Sequence, residues 1–251
     1  MKKYSLTVSF FMLLVASCAA AADSSALPME CPAVTDQSHL IRHYAYTLSY
    51  NEDMRIPEWV AWELESDEVD GNYPREDSFN PDPDWKGAQA DNRDYTRSGY
   101  TRGHMAPAGD MKFSQEAMRE SFYMTNVCPQ LSTVNAGNWN SLEEKCRRLA
   151  HKYGAVKIVC GPIVTSDSPK TIGWNEVVVP DAFFKVLLVE YRGKWHGVGF
   201  IFPHDESNER YETLAMTIDD VEKATGLDFF PSLPDDIENA VESAYDWTFW
   251  K

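Results

Sequence analysis

Three apolar stretches constrain the fold most: "VKIVCGPIV" from Val156, "VVVPDAFFKVLLVEY" from Val177 and "KWHGVGFIFP" from Lys194. They are rich in β-branched and aromatic residues and punctuated by Gly or Pro, which is the composition of strands. Upstream, "HYAYTLSYN" from His43 sets Tyr44, Tyr46, Leu48 and Tyr50 on one face, and "EWVAWELE" from Glu58 reads as its antiparallel partner. Helical patterns fall between these runs without a strand–helix–strand rhythm. The expected class is therefore α+β, a mainly antiparallel central sheet with flanking helices.

Two helices are legible. "TIDDVEKATG" has Thr217 as N-cap and Gly226 as stop. In "NAGNWNSLEEKCRRLAHKYG", Trp139, Leu142, Cys146, Leu149 and Tyr153 form an apolar stripe ended by Gly154. Asn135 lies at or just before the start of this helix. Glu143, eight positions on, points about 80° away from it, at the margin of the stripe. Residues 66–97 are polar, acidic and rich in Pro, Asp, Gly and Asn, so they read as a long surface excursion.

The N-terminus carries the marks of an export signal over residues 1–22: Lys2 and Lys3, an apolar run from Leu6 to Val15, then small residues. "VASC" resembles a lipoprotein box that would lipidate Cys18, and the following alanines offer ordinary cleavage sites; both routes imply a bacterial protein acting outside the cytoplasm, either secreted or held to a membrane by a lipid. Residues 23–38 read as a tether, and residues 39–251 as a single domain without repeats or linkers. Cys31, Cys128, Cys146 and Cys160 remain beyond the leader, an even number that permits either two disulfides or buried thiols.

Thirty-nine acidic against twenty-three basic residues give a net charge of −16, which excludes polyanion binding through whole-protein attraction. Residues 93–119 reverse the sign locally: Arg93, Arg97, Arg102, Lys112 and Arg119 outnumber the acids there. Inside this island, "YTRGHMAPAGDM" reads as turn-rich, with Gly103 letting the backbone turn or approach a ligand closely. His39, His43, His151, His196 and His204 read as structural. No G-x-S-x-G or H-E-x-x-H is present, so serine hydrolase and zincin readings fail.

Arg102-Gly103-His104, then "TNVCPQ", then Asn135, Trp139 and Glu143 at four-residue spacing together resemble the DNA/RNA non-specific endonucleases, which carry a ββα-metal (His-Me finger) active site. Thr101 stands where that family usually has aspartate. The resemblance implies a phosphodiesterase acting on DNA and RNA and leaving 5′-phosphate ends. His104 would be the general base, Asn135 the direct protein ligand of one Mg²⁺ (Mn²⁺ substituting), and Glu143 the holder of a metal-bound water. Arg102 and Arg75 would stabilise the phosphate, Asn126 would orient groups in the site, and Arg93 and Arg97 would touch substrate. It also implies that a homodimer is open to this chain. The alternative reading is a catalytically weakened nucleic-acid-binding surface lipoprotein.

Overall fold

The computed structural model describes residues 27–207 and 209–251. The leader over residues 1–22 and Cys18 lie outside the described residues. In chain order the elements are β1 (Leu40–Arg42), β2 (Thr47–Asn51), β3 (Ile56–Glu65), α1 (Ser66–Val69), β4 (Thr101–His104), α2 (Gln115–Ser121), β5 (Val127–Gln130), α3 (Ser132–Asn135) and α4 (Asn138–Tyr153). They continue with β6 (Ala155–Ile163), β7 (Thr171–Ile172), β8 (Val177–Val178), β9 (Ala182–Tyr191), β10 (Lys194–Pro203), β11 (Ala215–Met216), α5 (Ile218–Thr225), α6 (Asp235–Glu242) and α7 (Trp247–Trp250).

Seven strands form one sheet in the order β1-β2-β3-β6-β9-β10-β11, every neighbouring pair antiparallel. The α+β expectation holds, and the three apolar stretches are its central strands. Alternation along them feeds two cores, because successive side chains leave a strand on opposite faces. Val60, Trp62, Ile158, Cys160, Phe183 and Leu187 join the core that also holds Trp139, Leu142, Cys146 and Leu149 of α4. Trp59, Ala61, Val159, Phe184, Val186 and Leu188 join the core under α5 and α6. On that second face Gly197 and Gly199 of β10 let the helices close in: a Cβ on Gly199 would meet Val221 Cγ2 at 2.4 Å, and one on Gly197 would meet Ile218 Cδ1 at 2.6 Å.

Two features differ from the sequence reading, one choice it left open is settled, and one position is refined. The tyrosine-rich run is split: Tyr44 is 62% exposed in the turn between β1 and β2, where the His43 amide bonds Tyr46 O at 2.9 Å. The tether reading fails for residues 27–34. Cys31 is buried, Leu27, Met29 and Val34 pack on the second core, and the Ala33 amide bonds Asp228 O at 2.8 Å. Cys31, Cys128, Cys146 and Cys160 are buried free thiols, which settles the disulfide question for the described residues. The Asn135 helix is two pieces, α3 and α4, separated at Ala136–Gly137, so Asn135 closes a short helix instead of opening the long one. By contrast, Thr217 and Gly226 cap α5 as expected, with Thr217 accepting from the Asp220 amide and Gly226 left-handed at φ 73°.

Candidate active site

β4 and β5 pair antiparallel as a finger, Arg102 opposite Pro129 and His104 opposite Val127, and α3 and α4 follow. The Arg-Gly-His tripeptide is therefore strand, not turn. Gly103 is needed for a different reason from a turn: a Cβ there would lie 2.0 Å from Oε1 of the buried Gln130 side chain across the finger. Strand periodicity sends Arg102 and His104 to one face and Thr101 to the other.

His104 is 7% exposed and packs in a three-ring cluster with Phe79, tilted at 4.9 Å, and Phe122, edge-on at 4.9 Å, the two phenyl rings themselves 4.9 Å apart. Beyond Phe79, the Arg102 guanidinium lies 5.6 Å from that ring and 5.5 Å from the Tyr95 ring. Beyond Phe122 lies Arg75, 5.0 Å from its ring. Each phenyl ring of the cluster thus lies against one arginine. Burial first, then the Arg75 charge, hold His104 far below the usual histidine range, at about 3. The imidazole is neutral at neutral pH, and its Nε2 is buried without a partner. Arg102 is held by Nη2 donating to Asn92 O at 2.9 Å. The excursion that supplies Arg75, Phe79 and Tyr95 is thus a wall of the site.

Asn135 donates from Nδ2 to Thr101 Oγ1 at 2.9 Å, and Thr101 Oγ1 donates its one proton to Gln130 O at 2.9 Å. The hydroxyl can therefore only accept from Asn135, so the amide is locked with its NH₂ toward Thr101 and its Oδ1 turned away as a free oxygen donor. An outward amide oxygen is the donor that a hard, water-retaining divalent cation takes. The residues fit such an ion.

Glu143 lies on α4 one turn from Trp139 and one from Arg147. Burial pushes its carboxyl up to about 7 against the pull of Lys185. Lys185, in the middle of β9, is fully buried with Nζ 4.1 Å from the Trp139 ring and no hydrogen-bond partner. Asp110, also buried, pairs with Arg147 at 2.7 Å and accepts from Trp62 Nε1 at 3.2 Å. No periodicity signals this cluster, because a lysine inside an apolar strand reads as a strand edge until the sheet order places it centrally.

Asn126 acts on the site through backbone. Its Oδ1 accepts from the Ala106 amide, and its Nδ2 donates to Ala106 O and Ser121 O, each at 2.9 Å. With every polar atom engaged by backbone, it clamps the segment after His104 and cannot touch substrate. Arg93 and Arg97 are exposed, and Arg93 Nε bonds Asp91 at 3.0 Å. His43 is structural, its buried side chain 3.0 Å from Asp82 Oδ2, which Thr125 also bonds. His43, Asp82 and Asp84 form a group able to hold an ion, on the excursion side and separate from Asn135.

A buried neutral imidazole beside an arginine, on a two-stranded finger followed by a helix bearing a half-buried carboxylate, is the arrangement of a ββα finger. Residues 26–236 match the model of the DNA/RNA non-specific endonuclease family, and the chain belongs to that family. It is 39% identical over 204 residues to the mitochondrial nuclease EXOG of Danio rerio, the match covering 75% of this chain and 60% of that protein. A nuclease of Nostoc sp. is 30% identical over 225 residues, covering 85% of this chain and 81% of the relative. The structure resembles one from the EndoG/EndoGI complex with a TM-score of 0.76 and 31% identity, covering 83% of this chain and 91% of that one. The matches to the EXOG relatives span only 56–60% of those proteins.

Proposed function

We propose that this protein is a metal-dependent endonuclease hydrolysing phosphodiester bonds in DNA and RNA. The observation that carries the reading is His104, a histidine kept neutral by burial and by Arg75, on the same finger whose Thr101 holds the amide of Asn135. A phosphodiester resists attack because it is an anion, so hydrolysis needs an activated water and neutralisation of charge at phosphorus. His104 takes the proton from the attacking water, which a neutral imidazole does at neutral pH. Arg102 and Arg75 face the phosphate with forked donors that stay charged at any working pH. Asn135 Oδ1 would hold one divalent cation, Mg²⁺ by donor chemistry, with Glu143 accepting from one of its waters. When bound, that ion would supply charge neutralisation and an acidified water as the proton source for the leaving 3′ oxygen, consistent with 5′-phosphate products.

Thr101 does for Asn135 what an acceptor carboxylate would do, which argues against a weakened binder. Nucleic-acid binding alone also calls for neither a neutral buried base nor an oriented amide. The test is cleavage of plasmid DNA and of RNA by wild type and His104→Ala, with Mg²⁺ and with chelator. Metal-dependent products from wild type alone support the assignment. Binding without cleavage by wild type would replace it with the binder.

A further inference from the structure

Trp174 is 95% exposed, the largest exposure of any big apolar side chain among the described residues. A solitary exposed apolar residue usually needs no explanation. This indole differs in how its backbone is held. It sits in the turn of the β7–β8 hairpin, between Gly173 at φ 71° and Glu176 at φ 54°. The buried carboxylate of Asp94 accepts from the Trp174 amide at 2.9 Å, the Asn175 amide at 3.1 Å and Asn175 Nδ2 at 2.8 Å. Gly173 is pressed so close that a Cβ would lie 2.3 Å from Asp94 Cβ. The turn is rigid while the ring it carries is bare.

The anchor leads to the active site. Asp94 belongs to the one-turn helix Asn92–Tyr95, whose Asn92 carbonyl accepts from Arg102 and whose Tyr95 ring lies 5.5 Å from the Arg102 guanidinium. At the other end of the hairpin, Lys170 Nζ bonds Tyr100 OH at 3.1 Å, directly before the finger begins. Trp174 is thus fixed, through two short contacts, to the arginine proposed to hold the phosphate. The hairpin that carries it and the short helix that grips it bear exposed Lys170, Glu176 and Arg93, with Asp91 half-buried at the helix start. That mixed charge does not favour a phosphate on the ring itself, whereas a nucleobase carries no charge and presents a π-face.

Resting on the nuclease reading, we propose that Trp174 is a stacking platform for one unpaired base of the substrate, flanking the phosphate at Arg102. Base–aromatic stacking is indifferent to base identity, which suits a non-specific enzyme. It requires a base freed from its partner, so the site favours single-stranded or locally opened substrate over intact duplex. Because the turn is already ordered, binding immobilises little more than the ring.

The test compares wild type, Trp174→Ala and Trp174→Phe on one oligonucleotide sequence, single-stranded and as duplex. Losing one stacked base raises KM for the single strand about tenfold. With kcat little changed, a smaller effect on duplex, and recovery in Trp174→Phe, the platform stands. KM within twofold of wild type, equal losses on both substrates, or no recovery in Trp174→Phe overturns it. With chelator present, single-stranded oligonucleotide should quench wild-type tryptophan fluorescence, and Trp174→Phe should abolish that part of the quench. An identical quench in both proteins sinks the platform, and since this reading needs no turnover it separates failure of the platform from failure of the nuclease assignment. Sedimentation of wild type and Trp174→Ala checks the competing occupant: a dimer that dissociates in the variant would make the indole a protein interface and overturn the base platform.

Discussion

The two faces of the central sheet are covered in physically different ways. Under α5 and α6 the packing is regular: alternating large residues, paired glycines that admit the helices, and a helix capped at both ends. Under the finger and α4, the same strands meet a cluster of buried polar atoms without hydrogen-bond partners, on Arg102, His104, Gln130 and Lys185, whereas α6 on the other face carries Glu242 Oε1. Each such atom costs stability of about 1–3 kcal/mol when truly unmet. A fold that concentrates them on one face gives up stability there for chemistry, while the opposite face does the holding.

The largest expected break in this comparison is His104→Ala. Cleavage should fall roughly 10²–10⁴-fold, the usual cost of losing a general base. The protein should still fold, its thermal midpoint lowered by the cavity left beside Phe79 and Phe122, an effect partly offset by loss of a buried unpaired nitrogen. A mutant that melts early and retains activity would assign His104 to the scaffold.

Thr101→Val keeps the shape but removes the hydroxyl that orients Asn135. The Mg²⁺ concentration for half-maximal cleavage should rise about 10–100-fold, as for loss of an outer partner of a metal ligand, and Thr101→Ser should restore most of it. An unchanged Mg²⁺ requirement would mean that Asn135 keeps its orientation without help.

On the other face, Gly199→Ala forces a Cβ onto Val221 and Thr217. Stability should drop by about 1–3 kcal/mol, typical of overpacking, read by denaturant unfolding, with kcat and KM unaltered at temperatures where the variant is folded. Altered kinetics there would couple the two faces.

The smallest effect is in pH, where the faces titrate in opposite senses. His104 has a folded value near 3 against an ordinary 6.5, so the stability tied to its neutral form is complete above pH 6.5 and is lost as pH falls toward 3. Glu242 on α6 is pushed up to about 8, chiefly by burial and then by Glu222, so the folded state holds a proton that the unfolded chain has released. Its contribution is lost as pH rises from about 4.5 to 8. His104→Ala should flatten the acid limb of a stability–pH curve and Glu242→Gln the alkaline limb. Parallel curves for mutant and wild type would remove either residue from the account.

Much of this was written in local pattern. The apolar stretches announced the sheet because two-residue alternation is a property of the chain itself, and Thr217 and Gly226 announced α5 because capping is settled within one turn. Arg102, His104, Asn135 and Glu143 stood out by type and order. What required the tertiary structure was everything depending on which strands are neighbours. Gly103 reads as a turn until Gln130 is placed across the finger, and how Asn126 serves the site shows only when its amide is seen closed on Ala106. Residues 27–34 read as a tether until the second core shows where Cys31 goes. Lys185 and Trp174 carry no sequence signal at all: one is central only because β9 is, and the other is presented only because Asp94, 80 residues earlier, grips its backbone. Periodicity reports what a residue does to its own segment, whereas a site is made by contacts between segments distant in the chain.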